Sequence, residues 1–294
     1  MKILMLINPS SRGGRGMKKL PQLRKLLEKE NIEAEEILLS SIDEAFERAK
    51  NLDTSLYDAV VAAGGDGTIR AVGAGVLAHV DPQVRMGVLY TGTSPDFCRF
   101  HNIPLDMREA VKTLKKSHTK SVPVLTVNGE PFFCSCNPGM GAEIAEKANC
   151  YRQAAGDFWG TLYAVVSTLW KTPRYDFRVN GELYEKCNHL LITRMPYIAG
   201  GLKLALPPLK EDEFVLWSLR VPSRRHFLKV LAALYFKRPC GKVQIISKGT
   251  LHIDTPGSTA FLEYDGDPHG TLPATIGFAP RKLNLIVPEG DAAP

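Results

Sequence analysis

The pentapeptide Gly64-Gly65-Asp66-Gly67-Thr68 ends an apolar run, Asp58 to Ala63, and opens a stretch of helical pattern. Ligands of open α/β sheets bind at the carboxyl ends of strands, and glycines there let backbone N–H groups come close to phosphate oxygens. A carboxylate inside such a cradle is costly unless it has a task. Asp66 could hold Mg²⁺ directly or through water, or accept a proton from an attacking hydroxyl. The plainer alternative is a glycine turn with an aspartate helix cap. Two more small-residue loops follow strand-like runs: Asn8-Pro9-Ser10-Ser11-Arg12-Gly13-Gly14-Arg15-Gly16 after Ile3 to Ile7, and Thr91-Gly92-Thr93-Ser94-Pro95-Asp96 after Met86 to Tyr90. Each alone is a turn, but three at consecutive strand ends point to one crevice. Near the other end, Glu263-Tyr264-Asp265-Gly266-Asp267 groups acids around one glycine. Such a group beside a γ-phosphate serves Mg²⁺ or removes a proton, and otherwise reads as a Gly-Asp turn.

Several common chemistries are disfavoured. There is no GxxxxGK phosphate loop, and Gly14-Arg15-Gly16 lacks the third glycine of a dinucleotide fingerprint because position 19 is Lys. No GxSxG or HExxH occurs, and the seven histidines show no ligand spacing. Cys98, Cys134, Cys136, Cys150, Cys187 and Cys240 form no CxxC pair, which fits reduced thiols in a cytoplasm and strand packing for Cys134 and Cys136.

The elements that must position these residues change character along the chain. Length, 294 residues, favours two domains, and 44% hydrophobic with 23% charged residues is a soluble globular composition. Up to about residue 120, strand-like runs at Ile3 to Ile7, Ile32 to Leu39, Asp58 to Ala63 and Met86 to Tyr90, most of them apolar, alternate with helical patterns. These include Leu20 to Leu27, Ile42 to Ala49 opened by Ser41, and Met107 to Lys115. That order predicts a parallel sheet covered on both faces. From 121 to about 275, period-two runs begin with Val122 to Val127 and Phe132 to Cys136 around the turn Asn128-Gly129. They recur at Tyr175 to Val179, His189 to Thr193, Phe214 to Val221 and Ala260 to Tyr264, and predict a β-rich, sandwich-like domain. Helical insertions are expected at Phe158 to Trp170 and Arg224 to Tyr235, and a frayed end from Glu289. The longest apolar stretch, Trp159 to Trp170, is about twelve residues against the roughly 20 needed to cross a bilayer, so membrane contact would be peripheral. Aromatic residues around Phe158, Trp159, Tyr163 and Trp170, and the segment 224–238 with its basic residues, are candidates for an interfacial face. The net charge of +6 suits anionic partners.

Taken in order, these motifs resemble the diacylglycerol kinase catalytic family, which includes sphingosine kinases and bacterial soluble lipid kinases. The resemblance rests on Asn8-Pro9, Gly64 to Thr68, Gly92-Thr93 with Asp96-Phe97, Phe133 to Gly141, Ala199-Gly200-Gly201-Leu202 and Asp265-Gly266-Asp267. GGDG alone also occurs in NAD kinases and phosphofructokinases. The resemblance implies an ATP-binding α/β domain at 1–120, to which the chain end from about 276 returns, and a lipid-substrate domain at 121–275. It implies Mg²⁺-dependent transfer of the γ-phosphoryl of ATP to a lipid hydroxyl, as in phospholipid metabolism. By motif, Asn8, Pro9, Ser10, Ser41, Gly64, Gly65, Gly67, Thr68, Gly92 and Thr93 would bind nucleotide, and Asp96 and Phe97 substrate. Asp66, Asp265 and Asp267 would be catalytic, with Asp66 and Asp267 toward the metal. A cytoplasmic protein at the inner membrane face, with no nucleic-acid partner and a homodimer left open, is the matching setting. The chain departs from the family at Arg70 and Ala71, where Asn-Glu is common, at Pro95 for Asn, at Pro123 for Asp, at Asp212-Glu213 for Asp-Gly, and at Asp267 for Glu. These changes put an accessory metal site in question. They leave open a kinase of a soluble acceptor such as NAD or a polyol, and a silent nucleotide- or lipid-binding module.

Overall fold

The computed structural model describes residues 1–11, 13–198, 201–247 and 249–290. Its first half runs β1 (Lys2–Ile7), α1 (Leu20–Lys29), β2 (Glu33–Leu38), α2 (Ile42–Lys50), β3 (Ala59–Gly64), α3 (Asp66–Ala78), β4 (Arg85–Tyr90), α4 (Asp96–Phe100), α5 (Met107–Lys116) and β5 (Thr119–Val122). There follow β6 (Leu125–Val127), β7 (Glu130–Phe132), β8 (Ser135–Cys136), α6 (Met140–Lys171), β9 (Tyr175–Val179), β10 (Glu182–Cys187), β11 (His189–Thr193), β12 (Tyr197–Ile198) and β13 (Leu202–Lys203). The chain continues through β14 (Glu213–Leu219), α7 (Arg224–Tyr235), β15 (Lys242–Ser247), β16 (Leu251–Asp254), β17 (Phe261–Tyr264), β18 (Asp267–Thr271), β19 (Ala274–Phe278) and β20 (Leu283–Ile286). These form two compact units, one from Met1 to Val124 completed by residues from Ala279 onward, the other most of Leu125 to Phe278.

In the first unit the sheet order is β2-β1-β3-β4-β20-β5. β1, β2, β3, β4 and β20 are parallel to their neighbours, and β5 is antiparallel to β20. β3 is buried at every position and β1 at all but its first, the signature of strands covered on both faces. Ile3, Met5 and Ile7 pack with Leu20, Leu23 and Leu27 of α1. On α3, a Cβ at Gly75 would lie 2.4 Å from the Phe46 carbonyl oxygen, so glycine sets how near α2 and α3 approach. Sheet growth reverses at β1, with β2 on one side and β3 on the other. The carboxyl ends of β1 and β3 therefore flank a topological switch point, where open α/β sheets bind ligands.

The second unit stacks sheet β10-β9-β16-β19-β6-β7 on sheet β15-β14-β11-β8-β17-β18. Alternating residues such as Tyr175, Phe177 and Val179 join Leu190, Ile192, Phe214, Leu216, Leu262 and Ile276 in one core. Phe227, Val230 and Leu234 of α7 cover the outer face of β14 at Val215, Trp217 and Leu219.

Three details differ from the sequence expectation, and in one of them the strand expected over Phe132 to Cys136 is divided between the end of β7 and β8, which belong to different sheets. The single strand expected over Val122 to Val127 is two strands in two different sheets, separated by Pro123, which offers no N–H to a ladder. The helix expected at Phe158 to Trp170 starts at Met140. Glycines at 141, 156 and 160 mask its periodicity, and its first turn is held by Gly141 N–H donating to Nδ1 of buried His189 at 3.2 Å. The side chains of Phe158, Trp159 and Trp170 lie outside the described residues, as do Arg12, Ala199, Gly200 and residues 291–294.

Candidate nucleotide site and acidic turn

Three loops of the first unit meet at the switch point. Asn8, leaving β1, donates from Nδ2 to Thr68 Oγ1 (3.1 Å) while its Oδ1 accepts from Ser10 N–H (3.0 Å), which joins the first loop to the second. Ser11 Oγ donates to the Thr91 carbonyl and Thr91 Oγ1 to Ser11 Oγ, both at 3.0 Å, which joins the first to the third. The second and third touch backbone to backbone, since a Cβ on Gly92 would lie 2.6 Å from the Gly65 Cα. Gly64 is equally constrained, because a Cβ there would lie 2.3 Å from Oγ1 of buried Thr68.

This packing brings Asn8, Gly64, Gly65, Thr68 and Gly92 together at the N-terminus of α3, and Pro9, Ser10, Gly67 and Thr93 belong to the same three segments. Gly65 is the N-cap and Asp66 the first helical residue, so the first N–H groups of α3, which no carbonyl of the helix itself can reach, lie at this loop. A Cβ at Gly67 would meet nothing within 4 Å, so this side of the cradle is open. The donor set suits phosphate oxygens, which accept from helix N-terminal N–H groups and are favoured by the dipole there. Tyr90 OH donates to Asp66 Oδ2 at 3.4 Å. Burial and the Asp66 charge hold the Tyr90 phenol and the Cys98 thiol far above their ordinary values, so both stay protonated beside the carboxylate. Neither was singled out by the sequence, where an aromatic strand end and a buried cysteine carry no spacing signal.

The remaining expected residues are placed differently. Ser41 Oγ caps α2 by accepting from Glu44 N–H at 3.1 Å. Asp96 is buried and pairs with Arg99 Nη1 at 3.3 Å, within one turn of α4. Gly201 backs onto that guanidinium, since a Cβ there would lie 2.7 Å from Nη1. Phe97 is 1% exposed and packs against His101 at 4.5 Å between ring centroids, a core position.

In the second unit, Asp265 and Gly266 have φ +54° and +90° and link β17 to β18 as a tight hairpin, with Tyr264 opposite Asp267. Two positive φ values are the geometry of a type I′ turn, for which Asp-Gly is a favoured sequence. The Asp265 carboxylate accepts N–H bonds from Phe133 (2.8 Å) and Cys134 (2.7 Å), which fixes its orientation against β8. Two residues earlier, on β17, Glu263 is buried at 5% exposure and accepts from Asn137 Nδ2 at 2.6 Å and from Gly266 N–H. Burial outweighs those bonds and pushes the Glu263 carboxyl up to about 8. In the sequence Glu263 stands at the edge of the acidic group around Gly266, but its burial in the apolar strand Phe261-Leu262-Glu263-Tyr264 is not visible there.

Among the described residues, no three His, Cys, Asp or Glu side chains converge as a metal cage. Magnesium suits the first unit all the same, because it is commonly held by one or two carboxylates with substrate phosphates and water completing the shell. Asp66 at the phosphate cradle supplies such a carboxylate.

Comparison with known proteins shows what the chain is similar to. Residues 2–127 match the diacylglycerol kinase catalytic domain model. A diacylglycerol kinase of Staphylococcus aureus (strain MRSA252) is 30% identical over 294 residues, covering 97% of this chain and 91% of that one. A diacylglycerol kinase of Bacillus subtilis (strain 168) is 24% identical over 297 residues, covering 98% and 97%. In fold, a crystal structure from Bacillus anthracis strain Sterne superposes with a TM-score of 0.78 at 19% identity, covering 98% of this chain and 95% of that one.

Proposed function

This chain belongs to the diacylglycerol kinase family, and from that premise we propose that it transfers the γ-phosphoryl group of ATP to the hydroxyl of a lipid. The observation that carries the proposal is the convergence of three strand-end loops on the N-terminus of α3, with Asp66 as its first residue. ATP enters as the co-substrate, its phosphates bound by the N–H groups around Gly65, Gly67 and Thr68 and by the Asn8 and Gly92 loops. Mg²⁺, when bound, neutralises charge developing on the transferred group. Asp66 holds the metal there, with Tyr90 orienting its carboxylate.

Phosphoryl transfer asks the protein mainly for position and charge. Asn8 fixes Thr68 and the entry to α3, and Gly64 and Gly92 let backbone approach where any side chain would intrude. By the family motif Asp265 with Asp267, on their type I′ turn, would act as base or position the metal, and Asp66 is the other candidate base. The two N–H bonds to Asp265 favour a fixed carboxylate. Asp96 and Phe97 shape the acceptor end through α4, Asp96 through its pair with Arg99 and Phe97 through packing.

The test is ADP release from Mg-ATP with dispersed diacylglycerol, monoacylglycerol or sphingoid base. Release that requires a lipid supports the proposal. Release with a soluble polyol or NAD and no lipid contradicts it. Chelation of divalent metal should abolish release without lowering the melting temperature, since among the described residues no metal cage holds the fold together.

A further inference from the structure

The chain's positive charge is concentrated in one segment. Residues 214–253 hold eight Lys or Arg and no Asp or Glu, whereas the other 254 residues hold 29 basic and 31 acidic. The whole net charge of +6 therefore originates in forty residues, which cover β14 from its second residue, α7, β15 and β16 up to Ile253, with Glu213 and Asp254 at the two borders.

The same segment exposes large apolar side chains. Leu228, Tyr235 and Phe236 are 66%, 71% and 65% exposed, and Val243 and Ile245 of the edge strand β15 are exposed as well. At 100° per residue, Phe227, Val230 and Leu234 make the buried stripe of α7. Leu228, Tyr235 and Phe236 fall on the opposite face together with Arg225 and Lys229. The helix thus has a second apolar stripe, flanked by cations and turned to solvent. Arg238 lies 6.0 Å from the Phe236 ring, cation beside aromatic. Among α7, β14, β15 and β10 is a pocket of about 610 Å³ lined by Arg220, His226, Lys229 and Lys242 against a single acid, Glu182, with Leu219 and Val230 among its apolar lining.

We infer that the outer face of α7, with β15 beside it, docks the second unit on an anionic phospholipid bilayer, a headgroup phosphate entering the Arg220–Lys229–Lys242 pocket. The inference deepens the lipid-kinase reading, on which it rests for the reason a bilayer is within reach. Charge chooses the occupant. A surface with five apolar side chains among cations, and no acid in forty residues, is what an interfacial helix presents to acidic headgroups, with Lys and Arg stems lying along the apolar patch. A protein partner or a second copy would have to bring its own acids, and this segment offers none in return.

The experiment is co-sedimentation of the full chain, without ATP, with vesicles of phosphatidylcholine alone or containing phosphatidylglycerol. Wild type should pellet with the anionic vesicles and be released by salt. R225E/K229E and L228S/F236S, all at exposed positions, should each weaken vesicle binding more than about tenfold with unchanged melting temperature. Absence of binding, equal binding to neutral vesicles, or unimpaired binding by both variants overturns the inference. So does a concentration-dependent dimer that both variants abolish, which would make the face a self-interface. Phosphoryl transfer to a short-chain acceptor without vesicles, measured alongside, separates the two claims. Vesicle binding without any transfer leaves docking intact and removes the kinase reading, while transfer without vesicle binding does the reverse.

Discussion

At the residue scale, Asp66 differs from an ordinary helix cap in its company. It stands at the helix N-terminus, is met by Tyr90 OH, and follows Gly64, which packing against Thr68 leaves no room to replace. Asp66→Asn should keep the fold and reduce kcat at least about a hundredfold with little change in nucleotide affinity, as expected for lost transition-state stabilisation. A steady-state comparison checks this, and a variant that loses affinity alone would demote Asp66 to a binding residue. Two buried groups of the second unit give opposite pH signatures. The folded state keeps Glu263 protonated up to about 8, so between its ordinary 4.5 and 8 the native protein binds more protons and stability falls as pH rises. Buried His189 is pulled down to about 4 by desolvation, so the unfolded state binds more protons between 4 and 6.5 and stability rises with pH there. The slopes oppose each other up to 6.5, and above it Glu263 acts alone, at no more than about 1.4 kcal/mol per pH unit. Denaturant titrations from pH 6.5 to 8 should show declining stability in wild type and a flat profile in Glu263→Gln.

At the element scale, two type I′ turns allow a comparison. Asn128-Gly129 joins β6 to β7, and Asp265-Gly266 joins β17 to β18, each with both residues at positive φ. Gly129→Ala and Gly266→Ala should each destabilise by about 1–2 kcal/mol, the penalty for a Cβ in the left-handed region. Only Gly266→Ala should also depress phosphoryl transfer, because it disturbs the turn that carries Asp265 and Asp267. Equal activity in both would show the acidic turn to be structural. The same scale explains what the sequence could convey. Loops after β1, β3 and β4 were legible because apolar strands followed by glycine and a helical period have few other meanings. The long helix α6 was not, since glycines interrupt its pattern and its start depends on His189, 48 residues away. The break at Pro123 was visible as a residue but not as a change of sheet, which is decided by the return of β20 to pair with β5.

At the scale of the whole molecule, the α/β unit and the β-rich unit follow from the change of hydrophobic period along the chain. The site is only half legible that way. Asn8, Gly64 to Thr68 and Gly92 declare themselves by type and position. Glu263, Asn137 and Tyr90 act through burial and contacts far apart in sequence, which no local spacing reports. The charge pattern is similar: a net +6 looks unremarkable until its confinement to residues 214–253 is set beside the exposed face of α7. No helix among the described residues is long and apolar enough to cross a membrane. The most direct test of the central claim is the transfer of radiolabel from the γ-position of Mg-ATP into the organic-extractable fraction of a mixed-lipid dispersion. The account predicts labelled phospholipid with wild type and none above background with Asp66→Asn. Label that stays in the aqueous phase with a folded, ATP-binding wild type, or equal labelling by both proteins, would contradict it.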